Sequence, residues 1–410
     1  MARMRSAAPP SPAPAPPGRH DRVALAVLGI ALAAATAFVL VRDAQRGYRH
    51  YQRGFAQQVE RLSGAPAARA VPSGVQQIWV AGLQRADRCV TCHQAVNWPG
   101  FETAKEPWRT HRRDLLAAHP VAHFGCTVCH GGQGWAVDVD SAHGEVAGWD
   151  EPLLDIATSG GRSGATGGRP LVEIACNVCH RYEQETAGAP LINRAKALVR
   201  DKGCRACHLV NGRGGLIGPD LTWAGDKNPE QYDYSRLAGR HTVFAWHMEH
   251  LRDPRALVPD SVMPNFHLAA DDTTALAMLV MSWRRGPADV SLLGRTPRAD
   301  TTPEVDPVEH ERMLSGPGSW FVRNGCSRCH DVSSLGVKSP TPIGPDLSTA
   351  VDDTVRRFNV TVERFLREPT GTMRAVLSRQ ILLSDEQRAE AVRQLTAAYA
   401  AYQAPAPKAR

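Results

Sequence analysis

Five pentapeptides constrain this chain more than anything else in it. They are Cys89-Val-Thr-Cys92-His93, Cys126-Thr-Val-Cys129-His130, Cys176-Asn-Val-Cys179-His180, Cys204-Arg-Ala-Cys207-His208 and Cys326-Ser-Arg-Cys329-His330. Each has two cysteines three apart and a histidine directly after. The chain has 410 residues and ten cysteines, and the five copies use all ten.

The order Cys-x-x-Cys-His suits covalent attachment of a c-type haem. Each thiol adds to one vinyl group of the porphyrin, and the histidine that follows swings its imidazole under the iron as proximal ligand. A single copy also suits half of a zinc site, a redox dithiol or a disulfide. Five copies argue against these. Zinc would have to pair clusters whose histidines lie 37, 50, 28 and 122 residues apart, and it needs no histidine after every pair. The expectation is five covalently bound haem c groups. Cys89, Cys92, Cys126, Cys129, Cys176, Cys179, Cys204, Cys207, Cys326 and Cys329 would hold the macrocycles, and His93, His130, His180, His208 and His330 the irons.

Composition agrees. Aromatic residues are 6% of the chain, with 30 prolines and 35 glycines, a modest supply for ordinary cores. Haem is itself a large apolar object that short helices and loops can wrap. The predicted fold class is therefore mainly α with much irregular loop, and helices mainly in the second half. The formal charge of +7 omits the propionates. A ferric haem adds about −1, so five bring the total to roughly +2. No basic face with interleaved aromatics is present, so nucleic acid is not an expected partner.

Residues 23–41, VALAVLGIALAAATAFVLV, carry no charge. As a helix they span about 28 Å, close to the hydrocarbon thickness of a bilayer. Ala35-Thr36-Ala37 resembles a signal cleavage site. The apolar run continues through Phe38 to Val41, which favours an uncleaved anchor. Both flanks are basic, so flanking charge leaves the orientation open. Covalent haem is attached on the outer side of an energy-transducing membrane. The expectation is a single-pass inner-membrane protein with a cytoplasmic N-terminus and periplasmic haem domains.

The chain reads as a disordered head (1–22), the anchor (23–41), a helical stalk (42–75) and a dihaem region (76–158). A Gly/Ser-rich linker (159–170), a second dihaem region (171–285), a polar linker (286–308), a last module (309–402) and a tail (403–410) follow. The fourth and fifth sites repeat each other. GCRACH precedes IGPDL (217–221) and HLRDP (250–254); GCSRCH precedes IGPDL (343–347) and FLREP (365–369). Apolar periodicity predicts helices at 191–202 and 270–284 in one copy, about 312–324 and 384–400 in the other.

These two units resemble class I cytochrome c domains, over 190–285 and 310–400. In that family a later methionine ligates the iron distally. The resemblance implies Met263, in Val-Met263-Pro264, for the fourth site. It implies Met373 for the fifth, in Gly371-Thr-Met373-Arg, which lacks the following proline. The first half is similar to compact multihaem cytochromes, in which histidines ligate both iron faces. CTVCHGGQG is reminiscent of multihaem subunits that accompany cytochrome b-type quinol-oxidising complexes.

Three distal histidines are then needed. The choice is His111, His119 and His143. A short helix is expected between His111 and His119; Pro120 fixes the chain after His119; Gly144 allows close approach beside His143. His123 is the main competitor. His247 and His250, on a predicted helix with Trp246, read as packing or surface residues, and Met278 and Met281 as core. Gly131, Gly132 and Gly134 either admit a porphyrin against the backbone or form an ordinary turn.

The resemblances imply an electron carrier without catalytic residues. Its donor would be a quinol-oxidising membrane complex and its acceptor a soluble cytochrome or terminal oxidase. Met/His ligation raises the potential relative to bis-histidine, so the first three haems are expected lower than the last two. The alternatives are a multihaem oxidoreductase with one open-coordination haem and a small quinol dehydrogenase.

Overall fold

The computed structural model describes residues 18–45, 47–144, 171–286 and 305–404. The linker expected at 159–170, most of that at 286–308, most of the head and most of the tail lie outside these residues. The fold is mostly helical, in two units: residues up to 77 with 88–111 and 137–139, and 78–87, 112–136 and 140 onward.

The first unit opens with α1 (Arg19–Gln45). Its apolar stretch is wholly exposed, and among the described residues it is the one helix long and apolar enough to cross a membrane. Gly47 ends the straight run at φ 74°. α2 (Tyr48–Ser63) and α3 (Ala65–Arg69) follow. Phe55 and Val59 lie one turn apart on α2 and are fully buried with Ala95 and Phe101, flanked by Trp98 and Trp108. Burying Phe55 contributes about 2 kcal/mol. The segment after α1 is thus packed along one face against the chain that follows the first Cys-x-x-Cys-His.

The second unit begins with a hairpin, β1 (Ile78–Val80) antiparallel to β2 (Arg85–Asp87), with Trp79 opposite Ala86. Four short helices follow: α4 (Arg113–Ala118), α5 (Val121–Phe124), α6 (Thr127–His130) and α7 (Val139–His143). α4 is the helix expected between His111 and His119.

The main core joins α8 (Glu173–Cys179), α9 (Pro190–Asp201), α10 (Val243–Arg252) and α12 (Ala270–Ser282); the short α11 (Pro254–Leu257) follows α10. Ile174, Ile192, Leu198, Met278 and Leu279 meet there. Met278 and Met281 are core, as their periodicity implied. The buried Glu173 carboxylate accepts the Leu191 and Ile192 N–H groups at 2.8 and 3.0 Å, capping α9.

A second core gathers Phe321, Val332, Val337 and Leu395. The helix expected over 312–324 is two, α13 (Pro307–Ser315) and α14 (Ser319–Arg323). Gly316-Pro317-Gly318 interrupts it, because proline cannot donate to the helix ladder and glycine resists helical order. α15 (Ala350–Phe358), α16 (Val362–Arg367), α17 (Gly371–Arg379) and α18 (Asp385–Gln403) complete the fold. Ser384 and Gln387 form a capping box at α18.

Candidate functional site

All five pentapeptides adopt one local geometry. The histidine N–H donates to the carbonyl of the first cysteine four residues back, at 3.0 Å for His93, His130 and His208, 2.9 Å for His180 and 3.1 Å for His330. Residues three and four apart share a helical face. Each turn therefore sets two thiols and one imidazole along one side.

Among the described residues, no four thiols or imidazoles converge within one unit on a common point, as a structural zinc site requires. Nor are six of the ten thiols activated. Burial pushes Cys92, Cys129, Cys176, Cys204 and Cys329 up to about 11 and Cys326 to about 12. A redox dithiol shows the opposite shift.

The fourth and fifth sites match atom for atom. His208 Nδ1–H donates to the Pro219 carbonyl at 2.9 Å, and His330 Nδ1–H to the Pro345 carbonyl at 2.7 Å. Each Nε2 is left for a metal, with tautomer and ring orientation set from behind. The two IGPDL segments supply this backing. Gly218 and Gly344 lie against the rings, so that a Cβ there would come 2.4 Å from His208 Cε1 and 2.2 Å from His330 Cε1. Burial lowers the pKa of both imidazoles and keeps them neutral, the form that ligates.

At the first and third sites a carboxylate lies near the imidazole instead. His93 Nδ1 lies 3.8 Å from a Glu106 oxygen and His180 Nδ1 2.9 Å from Glu183. Buried Lys196 donates to the carbonyls of His180 (2.9 Å) and Glu183 (2.7 Å) and holds that loop on α9. Asn177 Nδ2 donates to Ser282 Oγ at 2.7 Å, tying the third site to α12.

At the second site, Asp87 is fully buried and its Oδ2 accepts the N–H groups of Cys126 and Thr127 at 2.7 and 2.8 Å. The glycines after His130 divide by role. Gly131 and Gly132 have φ of 72° and 82°, while a Cβ on Gly134 would lie 2.8 Å from the Ala86 carbonyl. Gly134 is spent on close packing against β2.

The three expected distal histidines fall in three places. The N–H of His111 donates to Val96, three residues beyond His93. His143 ends α7, whose Ala142 carbonyl accepts the Gln133 N–H beside the second site. The His119 ring stands 6.1 Å from that of His180. His123 is exposed, its ring edge-on to Phe124.

Met263 lies in irregular chain after α11, and Met373 in the first turn of α17. The two are differently presented although their modules repeat. Met373 joins an apolar cluster with Ile217, Cys207, Val262, Ala375 and Val376, which docks one repeat onto the other.

Of the two roles the sequence left open for it, packing or surface, His250 takes the first. It stacks on Trp246 at 4.8 Å, and its Nδ1 is enclosed without a partner. Burial, with His208 nearby, lowers its pKa to about 4. His247 is buried and bonded to the Tyr232 hydroxyl at 3.1 Å. A histidine pair spaced along one helix was visible in the sequence; that its second imidazole is enclosed against Trp246 was not.

Two thiols and a neutral, backed imidazole on one turn make the donor set of a covalently bound haem in an electron-transfer protein. The chain contains such a domain: the model of the family Cytochrome c matches residues 192–283, which hold Cys204, Cys207, His208 and Met263. No curated protein and no solved structure matches the chain.

Proposed function

We propose that this chain is a membrane-anchored pentahaem cytochrome c that relays electrons on the periplasmic face of the inner membrane. Its donor is a quinol-oxidising cytochrome b-type complex; its acceptor is a soluble cytochrome or terminal oxidase. The observation that carries the reading is the recurrence of one turn, with the same Cys, Cys and His on one side, five times. When bound, each haem iron takes up and gives back one electron. The residues hold that group, set the axial ligands and exclude water.

The groups behind the imidazoles give the relay a direction. A carboxylate behind a ligating imidazole raises its basicity and favours the ferric iron, whereas a neutral carbonyl does so less. Glu106 and Glu183 stand at the first and third sites, Pro219 and Pro345 at the fourth and fifth. Methionine at the last two raises their potentials further. Electrons then run from the N-terminal half to the C-terminal modules, and α1 keeps the entry side at the membrane.

The test is the intact mass of the purified chain, with an alkaline pyridine spectrum of the denatured protein. Five covalent haems and c-type bands support the reading. Haem extracted by acidified solvent, or zinc in its place, overturns it.

A further inference from the structure

We propose that His119 is the second axial ligand at the third attachment site, opposite His180. The inference rests on the haem reading and adds the pairing of a specific histidine with a specific site.

Three observations carry it. The two ring centroids are 6.1 Å apart. Two imidazoles bound trans on one iron, each through an Fe–N bond of about 2 Å, place their ring centres about 6 Å apart. The interplanar angle of 80° excludes a stacked pair.

Second, the Nδ1 of each ring lies beside a protein oxygen. His119 Nδ1–H donates to the Leu115 carbonyl at 3.2 Å, one turn back on α4. His180 Nδ1 is 2.9 Å from Glu183. An imidazole occupied at Nδ1 in this way leaves Nε2 to the metal.

Third, the ring is held where it stands. Phe124 packs edge-on at 5.2 Å, and Pro120 follows directly in the chain. The ligand thus comes from a segment that precedes the second site and serves the third. The second and third sites are neighbours, since α6, which carries Cys129, packs against α8, which carries Cys179.

The experiment uses the full chain matured with its haems, as His119→Phe and His119→Met. Peptide mass first establishes haem on Cys176 and Cys179; a bare third site overturns the haem reading itself. With five haems present, His119→Phe is expected to turn one haem in five high-spin in the ferric electron paramagnetic resonance spectrum. That haem binds carbon monoxide when reduced. His119→Met is expected to return it to low spin at a higher potential. A five-haem His119→Phe protein with unchanged spectrum and potentials overturns the inference, because phenylalanine preserves edge-to-face packing but not ligation. The unmutated chain provides a second readout that does not depend on the variants maturing. A ligated His119 resists diethylpyrocarbonate while the exposed His310 reacts; carbethoxylated His119 overturns the assignment.

Discussion

Thr372 Oγ1 donates a 3.0 Å hydrogen bond to the carbonyl of Val262. Each residue directly precedes one of the two methionines expected as distal ligands, so the methionine segments of the two repeats are joined to each other. Around the bond, Ile217 of one IGPDL packs with Ala375 and Val376. The other IGPDL contributes Ile343, whose Cγ2 would lie 3.0 Å from a Cβ on Gly203. Equivalent isoleucines face the opposite module, and the two repeats form one body.

Loosening that contact is expected to uncouple the last two haems. Thr372→Val removes one hydrogen bond, about 1 kcal/mol. Ile217→Ala removes buried volume, about 2–4 kcal/mol. Thermal unfolding should show the larger loss for Ile217→Ala. Electron exchange between the two haems, followed by flash photolysis, should slow in that variant; an unchanged rate would show that transfer does not depend on this interface.

The imidazole backing is testable at glycine. Gly344→Ala places a methyl group within 2.2 Å of His330 Cε1, so the ring must move off the Pro345 carbonyl. One haem should change spin state or potential while four stay as they were. Gly218→Ala should do the same at the fourth site. An optical redox titration that superimposes on that of the parent chain refutes the backing role.

The two methionines should not respond alike. Met263→His should remove part of the ferric Met/His band and lower one potential. Met373→Ala should leave a high-spin iron that binds carbon monoxide on reduction. If the parent chain already binds carbon monoxide at one haem in five, the α17 position holds Met373 away from its iron.

Acid stability provides a fourth check, at a residue outside the ligand set. Burial, with His250 and Lys227 nearby, lowers the pKa of His247 from 6.5 to about 3, and its Nε2 is hydrogen-bonded to the Tyr232 hydroxyl. Between these values the unfolded chain binds a proton that the folded chain does not. Stability therefore rises with pH across this window; the contribution is complete above 6.5 and lost as pH falls toward 3. His247→Gln keeps an acceptor for Tyr232 without the titration. Its melting temperature should fall less than that of the parent between pH 6.5 and 4, and equal slopes would exclude His247 as the cause.

Much of the molecule was legible because its signals are local. Two cysteines and a histidine within five residues dictate one hydrogen-bonded turn wherever they occur. Apolar periodicity placed α9, α12 and α18 within a few residues, and the apolar N-terminal run made α1. The interruption between α13 and α14 was written in Gly316-Pro317-Gly318, where proline removes a donor, although periodicity alone ran through it.

What local pattern left open lies in contacts distant along the chain. Spacing made His111, His119 and His143 candidates without distributing them. The fold brings His119 to His180, sets His111 beside the first site's segment and His143's helix beside the second. Likewise the repeat of IGPDL announced two similar modules but not that their methionine segments bond to each other. Nor did anything in Trp246-His247-Met248-Glu249-His250 say that the last imidazole is enclosed against Trp246. A ligand's residue type and its immediate geometry are properties of a few adjacent residues. Which metal it reaches depends on how separate helices pack their buried faces, and that is a balance of many apolar contacts that no short segment contains.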